Sequence, residues 1–405
     1  MQKCLICDSG VNEFMDFGRM PLGNGFLDQS QFTDEYFYNL KVGFCSRCTM
    51  VQLLEQPARE QMFHDHYAYI SSISSRMSEH FKSFAHTIMD KYLIEPDPLV
   101  VEIGSNDGIM LQHFAAAGIR HLGVEPSTNV AKLAGAKGIE TVCEFFDERL
   151  AETIKGNKGQ ADAILAANVM CHIPYLHSVA AGISRLLKPK GVLIFEDPYL
   201  ADILEITSYD QIYDEHVFYF SLSSVQYLFG VHGMEVIDIM PQNVHGGSMR
   251  YTVARKGAFG ISPDVGEQLL KEEHLGLKRD TTYHHFREKV EMSKNRLMTL
   301  LLALRNKGRR VVGYGATSKS TTVMNYCGIT PDHIEYISDT THTKQGKFTP
   351  GMHIPVKHYK EFCEHYPDVA LLFAWNHGEE IMNKEKMFQD GGGRWLVYVP
   401  QVKIL

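Results

Sequence analysis

A chain of 405 residues is longer than one hydrophobic core usually serves, so we expect two or three domains. The composition, 44% hydrophobic and 22% charged, is typical of a globular protein, and the net charge of -8 argues against a nucleic-acid backbone as partner. No apolar run is long enough to span a membrane, and the N-terminus does not resemble a signal peptide. We therefore expect a cytoplasmic protein with reduced thiols.

Four of the eight cysteines form two C-x-x-C pairs near the N-terminus: Cys4, Cys7, Cys45 and Cys48. Two such pairs present four thiolates to one tetrahedral zinc ion, whereas tandem disulfides suit a cytoplasmic chain poorly. Because four thiolates close the coordination sphere, the predicted zinc is structural. The residues between the pairs offer too few large side chains for an independent core without a metal.

The segment 63–75, which follows a predicted strand at 50–54, is dense in aromatic and hydroxyl side chains. It has two interpretations that the sequence does not separate. One is a helix-entry segment or a core-contacting loop. The other is one wall of a substrate site, with Tyr67 and Tyr69 as hydrogen-bonding aromatics and with Ser71 and Ser72 as donors to a phosphate or a sugar. An amphipathic helix at about 76–92 is predicted to follow.

A strand, a turn and a helix are predicted across residues 99–114, and the turn carries Gly104, Asn106 and Gly108. Small residues there let a ligand approach the backbone, and helix N-terminal amides add donors. The next strand ends in Glu125, an acid 21 residues after Gly104, which suits the hydroxyls of a ribose. Asn106 stands where a dinucleotide fingerprint would have glycine, so a dinucleotide is not the first expectation. The alternative is a Rossmann-like unit whose glycines serve only the turn.

This pattern, E-x-G-x-N-x-G followed by V-E-P, resembles motif I and the second acidic motif of class I S-adenosylmethionine (SAM) methyltransferases. The resemblance implies a cofactor site in which Glu102 faces the methionine end of SAM. Gly104 and Asn106 lie in its turn, and Glu125, followed by Pro126, lies at the ribose.

Strands and helices alternate through the middle of the chain, as a parallel sheet requires, with strands near 99–103, 120–125, 139–142, 162–167 and 191–196. Ligands of open α/β sheets bind at the carboxyl ends of the strands. Asn168 and His172, which follow the fourth strand, are therefore predicted at the mouth of the cofactor site, with Asn168 as a cofactor contact. His172 could equally be a helix cap or a satisfied surface residue.

A Tyr-Asp-Glu-His cluster at residues 213–216 follows the fifth strand. It offers a general base in His216, an acidic orienter in Glu215 or Asp214, and a phenol in Tyr213, and a carboxylate raises the basicity of an imidazole. The alternative is a surface loop with scattered charge, which the flanking apolar residues disfavour. The turn at His245, followed by two glycines, is predicted to line the same cleft.

Residues 262–307 predict a helical connector whose leucines lie at helical spacing and face an ordinary core. A second Rossmann-like unit begins near residue 310, with strands near 334–338, 369–374 and 395–400. Its Gly-x-Gly turn leads into Thr317, Ser318 and Lys319 at a helix start, which suits a phosphate. The spacing is not that of a Walker A loop, and a dinucleotide fingerprint would need a third glycine, so a unit that only packs is the alternative.

The whole chain resembles the nucleotide-sugar C-methyltransferases of deoxysugar biosynthesis. The motifs that carry the resemblance are, in order, the four cysteines, E-I-G-S-N-D-G, N-V-M-C-H-I-P, Y-D-E-H-V-F-Y-F-S, H-G-G-S-M-R and G-Y-G-A-x-x-K-S. The resemblance implies an α/β fold with a zinc-binding N-terminal domain (1–70) and a class I SAM-methyltransferase Rossmann-like domain (71–258). A helical connector with a C-terminal Rossmann-like α/β domain (259–405) completes it. The expected cofactors are SAM and a structural zinc ion.

The resemblance also implies the reaction, which adds a methyl group to C-3 of a dTDP-linked 4-keto-deoxysugar through an enolate. His216 is similar to the catalytic base of the family, with Glu215 and Tyr213 beside it, while His172 and Tyr67 face the sugar. The residues expected to contact substrate are Tyr69, Ser71, Ser72, His245, Thr317, Ser318 and Lys319. We expect a monomer with neither nucleic acid nor membrane as partner. An O- or N-methyltransferase of another small molecule and an NAD-dependent oxidoreductase stay open as alternatives.

Overall fold

Three β-sheets organise the part of the chain that a computed structural model describes, residues 2–58, 62, 71–73 and 75–405. Tyr67 and Tyr69 lie outside the described residues, so the roles assigned to them stay predictions. Within the described ranges, no helix is both long enough and apolar enough to cross a lipid bilayer.

The N-terminal sheet is antiparallel and consists, in spatial order, of β1 (Asn12–Pro21), β2 (Phe37–Phe44), β3 (Val51–Leu53) and β9 (Phe218–Tyr219). A short 3-10 helix, Gln29–Asp34, lies between β1 and β2. The strand predicted at 50–54 is confirmed as β3. Its partner β9 comes from the middle of the chain, where Tyr219 pairs with Val51. The residues that follow the Tyr-Asp-Glu-His cluster are therefore anchored in the N-terminal sheet.

The middle sheet carries the parallel core of the fold. Its strands are β4 (Leu99–Ile103), β5 (Arg120–Val124), β6 (Thr141–Val142), β7 (Ala161–Ala167), β8 (Leu187–Pro198), β10 (Met234–Gln242) and β11 (Ser248–Arg255). Their spatial order is β6-β5-β4-β7-β8-β11-β10, with β11 antiparallel to both neighbours. The chain moves from β4 to β5 on one side and returns to β7 on the other. This reversal opens a crevice at the carboxyl ends of β4 and β7, where ligands of such sheets bind.

Amphipathic helices cover this sheet. They are α1 (Ser75–Tyr92), α2 (Leu111–Ala116), α3 (Thr128–Ala136), α4 (Glu148–Lys158), α5 (Leu176–Leu186) and α7 (Leu222–Gly230). Helix α6 (Leu200–Ile206) instead buries Leu200, Ile203 and Leu204 in a cluster with residues of the N-terminal sheet. In α5, Leu176, Val179, Ile183 and Leu186 recur at three- and four-residue spacing and are all buried. This single apolar stripe explains why the segment forms a helix that lies on the sheet.

The C-terminal sheet has the order β14-β13-β12-β15-β16-β17, in which the last strand alone is antiparallel to its neighbour. The strands are β12 (Val311–Tyr314), β13 (Ile337–Asp339), β14 (Val356–His358), β15 (Val369–Leu372), β16 (Arg394–Val397) and β17 (Lys403–Ile404). The helices are α8 (Pro263–Leu275), α9 (Asp280–Asn306), α10 (Ser318–Cys327), α11 (Tyr359–Glu364), α12 (Gly378–Lys384) and α13 (Lys386–Asp390). Leu297 and Leu301 of α9 are buried, so the leucine stripe faces a core as predicted.

One hydrophobic cluster joins the N-terminal sheet, the turn before the Tyr-Asp-Glu-His cluster and the C-terminal domain. It includes Leu40 of β2, Ile212 and Val323 of α10. Tyr283 of α9 stacks on Phe44 of β2 with ring centroids 4.0 Å apart. The loop that carries the Tyr-Asp-Glu-His cluster is therefore enclosed by both outer parts of the chain.

Candidate active site and zinc centre

The four N-terminal cysteines converge on one point. The Sγ atoms of Cys4 and Cys48 lie 3.6 Å apart and those of Cys7 and Cys45 lie 3.4 Å apart, and all four sulfurs lie within 4.8 Å of one another. A zinc ion with Zn–S bonds of about 2.3 Å would separate its sulfurs by roughly 3.8 Å in a tetrahedron. The donor set and its spacing therefore fit a structural zinc ion.

Both C-x-x-C turns use the same backbone geometry. In the first, the Asp8 N–H donates to the Cys4 carbonyl at 3.0 Å, and in the second the Thr49 N–H donates to the Cys45 carbonyl at 2.9 Å. Asp8 and Thr49, each directly after the second cysteine, both adopt a positive φ, 57° and 62°. This shared fold directs two sulfurs of each turn to the same side. His177 of α5 contacts the Ile6 carbonyl at 2.8 Å, so the zinc site is fastened to the middle domain.

A second set of ligand atoms, from Cys171, His172 and His216, also lies within 4.8 Å. Both ring nitrogens of His216 already have hydrogen-bond partners, described below, and the Cys171 thiol lies beside the Asp197 carboxyl. We therefore assign the zinc ion to the four cysteines.

The glycine turn after β4 has the conformation that a cofactor turn needs. Gly104 adopts a φ of 68°, and a β-carbon there would lie 2.3 Å from Cγ2 of Val169. Only glycine therefore lets the turn after β4 and the turn after β7 meet closely. Asn106 also has a positive φ, 49°, and its Oδ1 accepts the Ser71 N–H at 3.0 Å. Ser71 thus lies over the cofactor turn, while Ser72 is exposed.

Glu125 lies at the end of β5, beside this turn. Its two carboxyl oxygens accept the N–H groups of Asn106 at 3.0 Å and Ser127 at 2.8 Å. Burial raises the pKa of Glu125, and these two backbone donors partly oppose that effect. Pro126 directs the chain from Glu125 into the N-cap of α3, and its carbonyl accepts a weak contact from Cys143. The carboxylate is thus fixed at the strand end, where the sequence predicts ribose recognition.

Glu102 of β4 is buried at the other side of the turn. Among the described residues, no group donates a hydrogen bond to its Oε2. Burial raises the pKa of Glu102 well above its ordinary value, and the nearby Glu125 and Asp107 carboxyls raise it further. A cationic, hydrogen-bonding ligand would relieve both costs. The ammonium group of the methionine end of SAM has these properties, so the residues present fit this cofactor.

Asn168 marks the end of β7 on the same edge. It adopts a φ of 55°, and its N–H donates to the Glu196 carbonyl at 2.7 Å, which places it beside the end of β8. His172 lies four residues on, in the 3-10 turn Met170–His172. Both residues predicted at the strand ends are therefore at that edge of the sheet.

The Glu196 side chain forms a buried ionic cluster that sequence reasoning missed. Its Oε1 lies 2.5 Å from Nε2 of His80, and its Oε2 accepts from Arg250 at 2.8 and 3.0 Å. The Arg250 guanidinium carbon lies 3.4 Å from the ring centroid of Phe84. Burial alone would raise the pKa of Glu196, but His80 and Arg250 outweigh it and lower the pKa. The cluster fastens α1 across the ends of β8 and β11. In the sequence, the arginine of the H-G-G-S-M-R motif, Arg250, is the signal that could have indicated it.

Hydrogen bonds hold the neutral His216 ring in one tautomer. Its Nδ1 lies 2.9 Å from the Gln211 carbonyl and its Nε2 lies 3.0 Å from the Tyr213 hydroxyl. Because a carbonyl only accepts, Nδ1 carries the proton and Nε2 has the lone pair, to which Tyr213 donates. Burial lowers the pKa of His216 well below 6.5, and the nearby His172 and Lys319 lower it further. The ring is therefore neutral at pH 7, in the form that a general base requires.

His172 packs against this ring, with centroids 5.2 Å apart and an interplanar angle of 26°. Burial lowers the pKa of His172 to about 4, so it is neutral as well. Val169, on the same turn, meets Gly104 of the cofactor turn. The rings of His216 and His172 and the glycine turn after β4 thus follow one another across a single crevice.

The acidic neighbours of His216 do not take the orienting role that the sequence assigned to them. The Asn24 side chain donates to Oε1 of Glu215 at 2.6 Å, and the Gly23 N–H donates to Oδ1 of Asp214 at 2.8 Å. Burial first, and then Glu215, raise the pKa of Asp214 to about 8. The two acids fasten the N-terminal loop over the cluster, while a backbone carbonyl, that of Gln211, orients the imidazole.

The residues predicted to bind phosphate in the C-terminal domain also make contacts within the protein. Thr317 caps α10 by accepting the Ser320 N–H at 3.1 Å, and Ser318 packs beside Gly23. The Lys319 ammonium donates to the His245 carbonyl at 3.1 Å. Burial lowers the pKa of Lys319 to about 8, against the opposing effect of the Asp210 carboxylate. The start of α10 and the His-Gly-Gly turn thus meet close to His216.

Comparison with known proteins agrees with this arrangement. Three family models match in succession: a zinc binding domain at residues 4–63, a methyltransferase domain at 54–239 and a C-methyltransferase C-terminal domain at 243–400. The C-methyltransferase NovU of Streptomyces niveus is 34% identical over 410 residues, which cover 100% of this chain and 97% of NovU. The ubiquinone biosynthesis O-methyltransferase of Nitrosococcus oceani is 32% identical over 101 residues, covering 24% of this chain and 42% of that enzyme.

Among solved structures, the magnesium protoporphyrin IX methyltransferase of Synechocystis with bound SAM is 14% identical, with a TM-score of 0.34. The matched region covers 44% of this chain and 79% of the protoporphyrin methyltransferase chain. The fold assignment does not depend on this likeness, because the strand order and the glycine turn support it.

The sheet order, the cofactor turn and the buried acids define a class I SAM-dependent methyltransferase with a structural zinc site. The match to NovU covers 100% of this chain and 97% of NovU, and it narrows the class to the C-methyltransferases. The chain belongs to the C-methyltransferase family. The predicted fold class and both predicted cofactors are thereby confirmed. The sequence had left two alternatives open, an O- or N-methyltransferase and an NAD-dependent oxidoreductase. The assignment as a SAM-dependent C-methyltransferase excludes both.

Proposed function

We propose that this enzyme transfers the methyl group of SAM to C-3 of a dTDP-linked 4-keto-deoxysugar, with His216 as the base that removes the C-3 proton. The observation that carries the proposal is the state of His216, a buried and neutral imidazole whose Nε2 lone pair lies beside the turn that meets Gly104. Methyl transfer to an oxygen or nitrogen atom does not require a carbon-bound proton to be removed, whereas methyl transfer to C-3 does. Removal of a carbon-bound proton needs a base with a lone pair, which the neutral His216 ring has at Nε2.

The residue types match the chemistry of an enolate. A 4-keto group acidifies the proton at C-3, and Nε2 of His216 receives that proton. The developing enolate oxygen needs a donor, which the neutral His172 ring or the Tyr213 hydroxyl supplies. When bound, SAM supplies the activated methyl group that the enolate carbon takes. Enclosure of the base by both outer parts of the chain limits water, which strengthens these interactions.

Two lysines support an anionic, diphosphate-bearing substrate. Lys319 donates to the His245 carbonyl at 3.1 Å, and Lys344 donates to the Ala316 carbonyl at 2.8 Å. An ammonium group has three N–H donors, so each lysine can make further hydrogen bonds besides the one to its carbonyl partner. Burial lowers the pKa of both. A nucleotide diphosphate would favour the charged form of each lysine, and the thymidine base is proposed from the family resemblance.

Hydrogen exchange separates proton removal from methyl transfer and tests the proposal. The zinc-loaded enzyme is incubated in D2O with a dTDP-4-keto-deoxysugar, without SAM or with S-adenosylhomocysteine, and deuterium at C-3 is followed by NMR. Wild type should exchange, and His216→Ala should lose about 10²–10⁴-fold in rate while it keeps its SAM affinity. His86→Ala, which removes an exposed imidazole of α1, is the matched control and should exchange normally.

The substrate is tested by mass spectrometry on a panel of dTDP- and GDP-linked 4-keto-deoxysugars incubated with SAM. Products heavier by one methylene are expected with dTDP-4-keto sugars, and substrates without the ketone should give none. If His216→Ala exchanges at the wild-type rate but fails to methylate, the base lies elsewhere, and His172 or Tyr213 becomes the next candidate.

A further inference from the structure

The Asp210 carboxylate connects the turn before the base to the C-terminal domain. Asp210 lies in the 3-10 turn Tyr209–Gln211 and is fully buried. Its Oδ2 accepts the indole N–H of Trp375 at 2.6 Å and the hydroxyl of Tyr398 at 2.7 Å. Both donors belong to the C-terminal domain, and the positive charge that faces Asp210 comes from Lys319 of the same domain. The turn is thus held from outside the methyltransferase sheet.

The same turn supplies the atom that fixes the base. The backbone carbonyl of Gln211, next to Asp210, accepts from Nδ1 of His216 at 2.9 Å. The Gln211 side-chain amide contacts the His245 carbonyl, which also accepts from Lys319. The direction of the Gln211 carbonyl therefore depends on anchors on both sides of the turn.

The His-Gly-Gly motif makes the Trp375 anchor possible. A β-carbon on Gly246 would lie 2.2 Å from the Cη2 atom of the Trp375 ring, and Gly246 adopts a φ of 88°. A side chain at this position would displace the indole from Asp210. The motif therefore makes room for the contact between domains, which is a role the sequence did not indicate.

We infer that Asp210 is a positioning residue through which the C-terminal domain holds His216 in its Nδ1–H tautomer. The inference rests on the proposed role of His216 as base. The carboxylate has no contact with the imidazole in the described structure, and it acts through the backbone of the turn. If the turn loosens, the Gln211 carbonyl no longer selects Nδ1, and a proton on Nε2 removes the lone pair that the reaction needs. The C-terminal domain would then contribute directly to the rate of proton removal.

Asp210→Asn keeps the shape of the side chain but removes its charge, and it tests the inference in the full-length, zinc-loaded enzyme. We expect C-3 exchange and kcat to fall about 10–100-fold, because displacements on the order of 1 Å around a catalytic group have effects of this size. KM for the sugar nucleotide and the affinity for SAM should stay within about threefold. Tyr398→Phe and Trp375→Phe each remove one donor, and both should shift the exchange rate in the same direction by about 3–10-fold.

Tyr314→Phe is the matched control. Its hydroxyl donates to the Glu385 carboxylate at 2.7 Å, so it removes the same kind of buried bond within the C-terminal domain but away from the turn. It should lower the melting temperature about as much as Tyr398→Phe without changing the exchange rate. If Tyr314→Phe and Tyr398→Phe both lower the exchange rate in proportion to their loss of folded protein, the contact between Tyr398 and Asp210 is merely structural and the inference fails.

The tautomer itself is measured without substrate, by 15N NMR of histidine-labelled protein, with His216→Gln to identify the resonances. Wild type should show a protonated Nδ1 and an unprotonated Nε2 at His216, and Asp210→Asn should show exchange between tautomers. An unchanged tautomer in Asp210→Asn overturns the inference even where His216 is the base. Normal C-3 exchange in His216→Ala would instead overturn the proposed function and leave the tautomer result standing.

Discussion

The hydroxyl of Tyr213 lies 3.0 Å from Nε2 of His216 and donates to the atom that we propose takes the substrate proton. On the proposed mechanism, the hydroxyl occupies the place beside Nε2 that the substrate C–H group would take. It keeps the lone pair satisfied in a buried site, where an unsatisfied acceptor would be costly. The proposed substrate would displace this bond on entering, and the Tyr213 hydroxyl would then donate to the enolate oxygen.

The pH dependence of C-3 exchange follows from the lowered pKa of His216. The neutral ring is the active form, so activity is lost as pH falls through the pKa, and this pKa lies well below 6.5. Exchange should therefore stay constant as pH falls through 6.5, where an exposed imidazole becomes protonated, and should be lost only at a lower pH. Tyr213→Phe removes a donor that favours the neutral ring, so the acid limb should move up by about 0.5–1 pH unit. A wild-type acid limb at the ordinary histidine value would contradict the buried site.

Glu125→Ala tests the cofactor site. The carboxylate organises the turn through the N–H groups of Asn106 and Ser127, and its binding of the ribose hydroxyls stays a prediction. Its loss should weaken SAM binding by about 1.5–3 kcal/mol, the range for a hydrogen bond to a charged group. Isothermal titration calorimetry measures the change. Glu140→Ala, an exposed acid near β6, is the control and should bind SAM normally, whereas wild-type affinity in Glu125→Ala would remove Glu125 from the site.

Cys45→Ser tests the zinc site. One zinc ion per chain is expected in wild type by elemental analysis, and this variant should lose it together with the fold of the N-terminal sheet. Loss of the metal should lower the melting temperature, because the sheet has a small core of its own. Cys143→Ser changes an exposed cysteine outside the cluster and should keep both metal and stability. Wild-type protein without stoichiometric zinc would refute the assignment.

Glu196→Ala tests the buried ionic cluster. It leaves Arg250 without its carboxylate, so the free energy of unfolding in urea should fall by about 3–5 kcal/mol. Lys91→Ala breaks an exposed pair between α1 and β10 and should cost about 0–1 kcal/mol. Because the folded pKa of Glu196 is lowered, its stabilising effect is present above the ordinary glutamate pKa of about 4.3 and is lost as pH falls through the folded value. Equal losses in the two variants would show that the cluster is not a buried anchor.

The sequence by itself determined the features that depend on short spacings. The C-x-x-C pairs predict zinc because two sulfurs three residues apart reach one ion whatever surrounds them. The turn at Gly104 and the acid at Glu125 follow from backbone conformation and from the place where a strand ends, both of which are local properties. The central parallel strands β4, β12 and β15, which are buried along their whole length, show as short apolar runs for the same reason.

Only the tertiary structure decided which groups surround His216. The sequence pointed to the carboxylates beside His216, but the group at Nδ1 is the carbonyl of Gln211, and every residue carries a carbonyl, so composition could not single it out. The contact between Asp210 and Trp375 joins residues 165 positions apart, and the one between His80 and Glu196 spans 116. Contacts of that range depend on how sheets and helices pack, because no local periodicity records which distant side chain will fill a given buried position.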